Sequence, residues 1–391
     1  MSQQVFRPED APMALDRTAG WAHFRNAGEV VQGEGAWFLT SADAVQYAHH
    51  HPELFSSARA FDMLGSPLPL IPLATDPPAH VRYRRVLDPM LAPRVINAME
   101  DELRRQISEL IDAFATSGSC DIMTDVAKLY PTQVFLTLFG MPLSDRDQFI
   151  RWVTTLNEGA SLVGSEPNPE VLQAAGELFA YLQGFVAAKR ADPGEDMLSR
   201  VLALSGDDAW TDEEVLGLCF LFTLAGLDTV TASIGFVMLH LTRDAELRRR
   251  VVTDPSLVGP VIEEVLRLEL PAPLNPRFTM EDVEVCGQRI PAGTIVQLSV
   301  GAANRDPSRF AHPDEIDLDQ ADRGHLSFGG GIHRCLGSHL ARRELRLVVE
   351  EFHKRIPDYE MAPGAEPRVT WPAGTLHLQS LPLVFTPAAA R

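Results

Sequence analysis

A mainly α-helical fold with small β-sheets is what this 391-residue chain predicts, on three observations. From about residue 76 to 269 most segments place apolar residues at helical spacing. Within that half, TDEEVLGLCFLFTLAGLDTVTASIGFVMLHLTRD (211–244) runs without a proline and reads as one long central helix, apolar all round. After residue 276 the texture changes to short pieces carrying Val, Ile and Thr.

Taken from the N-terminus, MSQQVFRPEDAPMALD carries three acidic residues and lacks the apolar stretch of about 7–15 residues that a signal peptide needs. GEGAWFLT (33–40) is a β-type piece. The helical half has stop signals at Pro131, Pro142, Pro167, Pro193 and the GDD turn at 206–208. Thr211, followed three residues later by Glu214, is a capping box that starts the central helix. In RFTMEDVEVCGQRIPAGTIVQLSV (277–300), G-Q and A-G turns separate the strands of a small sheet. LGSHLARRELRLVVEEFHKR (336–355) is again helical, and TLHLQSLPLVFT (375–386) is a last β-type piece. The two outlying β pieces are expected to join small sheets across the sequence.

With 45% hydrophobic and 22% charged residues, and with 27 Gly and 29 Pro forming no linker-like stretch, one continuous domain over 1–391 with a large core is expected. A net charge of −19 argues against a nucleic-acid binder, which needs a dominant basic face. LGLCFLFTLAGL (216–227) meets Asp228 well short of the ~20 residues that span a bilayer, so it reads as buried core. A cytoplasmic monomer without a membrane partner is expected. Cys120, Cys219, Cys286 and Cys335 form no C-x-x-C pair, which points away from a disulfide scaffold or a four-thiolate metal site. His49, His50 and His51 are adjacent, so their side chains diverge and one ion cannot take all three; solvated surface is expected there.

Chemistry concentrates at Cys335, which stands between a glycine-rich loop and the first turn of a helix. Orphan N–H groups and the positive dipole end at a helix N-terminus favour a thiolate. Gly329, Gly330 and Gly331 permit positive φ angles, Gly337 lets backbone approach the sulfur, and His333 and Arg334 add donors. Such a sulfur is suited to be a nucleophile or an axial ligand to haem iron, and the bland alternative is a buried cysteine acting as a small hydrophobe after a turn. The glycines make neither G-x-G-x-x-G nor a G-K-[ST] ending, and there is no C-x-x-C-H for covalent haem.

The string FGGGIHRCLG (328–337) fits F-x-x-G-x-x-x-C-x-G, and by it the chain resembles the haem-thiolate monooxygenases of the cytochrome P450 family. The resemblance implies that family's fold, with its long central helix and cysteine loop, and a noncovalent haem b. It makes Cys335 the iron ligand, sets Phe328 beside it, directs His333 to a haem propionate and gives Gly337 its place after the sulfur. Other segments match in the family's order. In DPPAHVRYRR (76–85), His80 and Arg84 stand at i, i+4 on one helix face and resemble propionate ligands, with Arg277 a third. Glu264 and Arg267 form the E-x-x-R pair that buttresses the cysteine loop in the family, although a solvated ion pair is a commoner source of that pattern. In LAGLDTV (224–230), Asp228 and Thr229 resemble the acid and alcohol of the oxygen-binding groove; the bland alternative is a Thr bonded to its own i−4 carbonyl and a paired structural Asp.

By the same resemblance, substrate contacts fall on Phe61, Met63, Leu70, Ile71, Leu221, Leu224, Ala225, Leu274 and Leu376, mostly aliphatic walls that suit a terpenoid-like hydrophobic molecule. The chain looks closest to camphor-hydroxylating members, yet Leu68 stands near the place where the camphor enzyme has a ketone-binding tyrosine. Electrons are expected from a ferredoxin and its reductase, docking on Arg82, Arg85, Arg334, Arg342 and Arg343. Peroxide-dependent or isomerising haem-thiolate chemistry, and noncatalytic haem binding, are the alternatives.

Overall fold

The structure is a computed structural model that describes residues 5–62, 68–159 and 168–388. Its axis is the central helix, Asp212–Arg243, 32 residues long. The capping box forms as the sequence predicts. Thr211 Oγ1 accepts the Glu214 N–H at 3.2 Å, and Glu214 Oε2 accepts the Thr211 N–H at 2.7 Å. Gly226 lowers helix propensity by about 1 kcal/mol against Ala, but the helix runs through it unbroken.

This helix belongs to two apolar clusters. Its early residues Val215–Phe220 and Leu227 pack with Phe135, Phe139, Phe149, Leu178 and Leu182. Its later residues, Val230 to Leu241, pack with Trp21, Phe24, Leu345 and Phe352. Between the two, Ala225 and Gly226 are exposed in mid-helix, which is where a cleft opens against the axis. The loop before Asp76 lies over the helix upstream of that cleft: a Cβ at Gly217 would collide with the Pro69 carbonyl. By length and composition alone Pro169–Ala191 and Asp212–Arg243 are apolar enough to cross a membrane, but 67% of the central helix's apolar window is buried inside the protein.

The sheets confirm the expectation of pairing across the sequence. Trp37–Leu39, from the early β-type piece, pairs in parallel with Ile295–Ser299, which is antiparallel to Leu274–Thr279. Val30–Gln32 and Phe55–Ser56 complete this five-stranded sheet at its two edges. Pro276 is tolerated because Phe55–Ser56 pairs only as far as Phe278 and Thr279, so the proline has a neighbour on one side alone. Pro382–Phe385 lies between Ser119–Asp121 and Tyr359–Met361 in a second sheet, and Val283–Val285 pairs with Gln288–Ile290 in a third.

The helix Ser338–Arg355 follows the cysteine loop and packs on Glu100–Asp112, the central helix and Val258–Leu268. Its N-terminus follows directly on the cysteine loop.

Candidate functional site

The cysteine loop is folded by its own backbone. The Cys335 N–H donates to the Phe328 carbonyl at 2.7 Å, and the Gly329 N–H to Leu326 at 2.7 Å. Gly329 and Gly331 adopt φ of +68° and +59°, which L side chains rarely take. Gly330 departs from the sequence expectation: its φ is −148°, and it is needed for space instead, because a Cβ there would press on the His49 ring.

Cys335 is surrounded by protein on most sides, yet it keeps accessible surface. Burial pushes its thiol pKa up; the Gly337 N–H and the guanidinium groups of Arg84, Arg342 and Arg334 pull the other way. Burial wins when the sulfur is unligated. Gly337 caps the following helix without positive φ, and its Cβ position faces open space. Phe328 packs under the Arg342 guanidinium, 4.2 Å from its ring centroid.

The E-x-x-R pair is not a surface bridge. Glu264 and Arg267 are each 1% exposed and joined by two hydrogen bonds of 2.8 Å. Arg267 also donates to the carbonyls of Asn304, Pro313 and Glu315, while Glu264 accepts the Asp317 N–H at 2.9 Å. Asn304 carries the connection onward through Ser327 Oγ and the Leu326 N–H, both at 2.7 Å, into the start of the cysteine loop. Glu263, the neighbour of Glu264, holds Arg342 with bonds of 2.7 and 2.8 Å and lies 3.1 Å from His325.

The basic residues converge. The His80 and His333 rings meet edge to face at 4.4 Å, and the Nε2 of each is buried without a partner. Desolvation holds His80 down to about 4 and His333 to about 2, with neighbouring guanidinium groups adding to the effect. Arg277 is 5% exposed; among the described residues its guanidinium hydrogen-bonds the Pro276 carbonyl, and burial lowers its pKa to about 10. Arg84 donates to Asp88 and to the Arg334 carbonyl, each at 2.7 Å. Unsatisfied buried donors and a desolvated guanidinium are costly unless an anion completes them. A haem fits this set, with one thiol for iron and a cationic end for its two carboxylates.

The three histidines need a correction. His50 is exposed and His51 half-exposed, but His49 is 5% exposed, because it lies four residues after Val45 on the buried stripe of the helix Ala42–His50. That spacing was the signal in the sequence. Among the described residues no cluster of three or more His, Cys, Asp and Glu gathers to hold a metal ion.

On the central helix, Thr229 Oγ1 donates to the Ala225 carbonyl at 2.9 Å, so its proton has the local bond that the bland alternative describes. Asp228 turns to the flank. Burial raises its pKa, against His377, hydrogen bonds from Thr375 and Asn157, and Lys128. Its Oδ2 has no hydrogen-bond partner, and it lines a cavity of about 470 Å³ with Lys128, Asn157, Thr375 and His377. No local motif marked Lys128, Asn157 or His377.

Of the expected substrate walls, Phe61, Leu70, Leu224, Ala225 and Leu274 keep accessible surface. Ile71, Leu221 and Leu376 are packed into the interior at 1%, 8% and 1% exposure. Met63 lies outside the described residues. Most of the basic docking candidates are neutralised: Arg82 pairs with Glu214, Arg85 with Asp208, Arg342 with Glu263 and Arg343 with Glu100. Arg334 alone of the five has an exposed side chain without an acidic partner among the described residues.

The family model "Cytochrome P450" matches residues 29–355. The chain is 33% identical over 366 residues to the vitamin D(3) 25-hydroxylase of Pseudonocardia autotrophica, covering 90% of this chain and 89% of that one. It is 35% identical over 313 residues to the mycinamicin IV hydroxylase/epoxidase of Micromonospora griseorubida, covering 78% and 76%. A mutant of P450 EryK in complex with erythromycin B superposes with a TM-score of 0.86 at 29% identity, covering 95% and 96%. With a family match that spans the central helix, the E-x-x-R pair and the cysteine loop, the chain belongs to the cytochrome P450 family and is a haem-dependent monooxygenase.

Proposed function

We propose that the chain inserts one oxygen atom of O2 into a medium-sized hydrophobic substrate, terpenoid-like in polarity, with Cys335 as the iron ligand and a ferredoxin and its reductase as electron source. The observation that carries this reading is an accessible Cys335 thiol on which a backbone N–H and three guanidinium groups bear, opposing the burial that raises its pKa. Bound haem b supplies oxygen activation, its thiolate ligand favouring O–O cleavage.

The chain's own residues do the rest. His80, His333 and Arg277 would hold the carboxylates of bound haem. Leu224, Ala225 and Leu274 wall the space above and exclude water from it. Asp228, its pKa raised by burial, holds a proton nearer to neutral pH than a solvated Asp does and exchanges it with the polar cavity shared with Lys128 and His377. Thr229 presents its hydroxyl lone pairs to that proton path. The apolar walls support the substrate class, as do relatives named for hydroxylating vitamin D(3) and mycinamicin IV.

The test is the absorption spectrum of the reduced protein with carbon monoxide. A Soret band far to the red of that of a histidine-ligated haem, lost in Cys335→Ala, is the expected result. A colourless protein after expression with haem precursor, or an unchanged spectrum in the variant, overturns the reading. Hydrophobic candidates are then screened by the spin-state shift that follows displacement of water from the iron.

A further inference from the structure

We infer that His49 is a further contact for the carboxylate edge of bound haem, supplied by the helix Ala42–His50; this rests on the haem reading above. His49 is the last-turn residue of that helix, and its ring lies over the cysteine loop: a Cβ at Gly330 would sit 3.2–3.3 Å from its Cβ, Cγ and Cδ2. Gly331 packs so closely on the His49 carbonyl that no side chain fits between them. The two glycines therefore seat this histidine against the segment that carries His333 and Cys335.

Two observations say that the ring faces a ligand rather than filling space. First, neither Nδ1 nor Nε2 has a hydrogen-bond partner, although the residue is 5% exposed. A buried ring with both nitrogens orphaned costs more than an apolar residue of the same size, so packing alone does not account for a histidine here. Second, apart from the adjacent His50, its electrostatic neighbours are the other members of the same cluster: Arg277 bears on His49, and His49 bears on His333 together with Arg277, His80 and Arg84. Five basic side chains share one buried region, where Asp76 and Asp88 are the acids that act on them. Asp88 is taken up by Arg84, and Asp76 accepts the Ser57 N–H at 3.0 Å. The orphaned ring nitrogens of His49, His80 and His333 match the acceptor oxygens of a dicarboxylate, and a neutral His49 offers it one N–H donor.

The experiment compares wild type, His49→Phe and His49→Gln, each loaded with haem or with haem dimethyl ester, whose carboxylates are blocked. Haem loss is followed by transfer to excess apomyoglobin. With haem, His49→Phe is expected to lose its cofactor about tenfold faster than wild type, the effect of one hydrogen bond to a charged group, and His49→Gln to recover part of the difference. With the dimethyl ester, whose neutral carbonyl oxygens accept only a weaker bond, the difference between wild type and His49→Phe is expected to shrink severalfold. His49→Met provides the apolar comparison should the phenylalanine variant not fold. Equal rates with haem, or a difference that is undiminished with the ester, overturn the proposal. The thiolate spectrum with carbon monoxide, retained in every variant, shows separately that the haem reading stands.

Discussion

Arg84 Nη1 donates to the carbonyl oxygen of Arg334 at 2.7 Å, tying the helix Ala79–Met90 to the residue immediately before Cys335. The same guanidinium is held by Asp88 on its own helix, so it is a strap with a fixed anchor. Arg84→Gln removes both bonds. We expect a loss of about 2 kcal/mol in urea unfolding of the holoprotein, as for a hydrogen bond from a charged donor, and a smaller fraction of the carbon monoxide complex with the thiolate signature. An unchanged spectrum and unfolding midpoint would show the strap to be idle.

Glu264 and Arg267 are both fully buried, so removing one strands the other. Arg267→Ala is expected to cost about 3–5 kcal/mol by denaturant titration, because a carboxylate and several loop carbonyls lose their partner. The double variant Glu264→Ala/Arg267→Ala should lose less than the sum of the two singles, since the stranded charge is then absent. Additive losses would contradict the coupling.

Glu344 sits in the helix Ser338–Arg355 with Oε2 unpartnered, and burial pushes its pKa up to about 8. The folded state therefore holds a proton that the unfolded chain releases near the ordinary carboxylate pKa. Its contribution is complete below about 4.5 and declines as pH rises through about 8. Glu344→Gln should match wild type at pH 5 and exceed it in thermal midpoint at pH 8. A stability gap that is the same at both pH values would reject this account.

Asp228→Asn keeps the size of the side chain but not its titrating proton. Turnover is expected to fall by about a hundredfold while the carbon monoxide spectrum and the substrate-induced spin shift survive. Thr229→Ala should instead send more of the consumed NADH to hydrogen peroxide. Both are read from NADH, peroxide and product in one reconstituted assay, where an unaltered ratio of peroxide to product in Thr229→Ala would separate that hydroxyl from the proton path.

Arg334 keeps its charge exposed while Arg82, Arg85, Arg342 and Arg343 are paired. Arg334→Glu should slow reduction by ferredoxin about tenfold at low salt, with the effect shrinking as salt rises. Arg85→Glu should do less, as Asp208 already offsets that charge. Equal effects of the two would move the docking site elsewhere.

Local pattern was enough to read the central helix, its capping box and the cysteine loop, because each is specified by residues within a few positions of one another. The same is true of the mainly helical class and of the strand pieces, though not of their partners. Tertiary structure alone decided where the polar groups went. It turned His49 from expected surface to buried wall and made Glu263 the holder of Arg342. It placed Asp228 beside Lys128 and His377, and sank Ile71, Leu221 and Leu376 below the cleft surface. These outcomes depend on contacts between residues far apart in the chain, and a buried charge or ring chooses its neighbours by the cost of going unpaired, which no short stretch of sequence records.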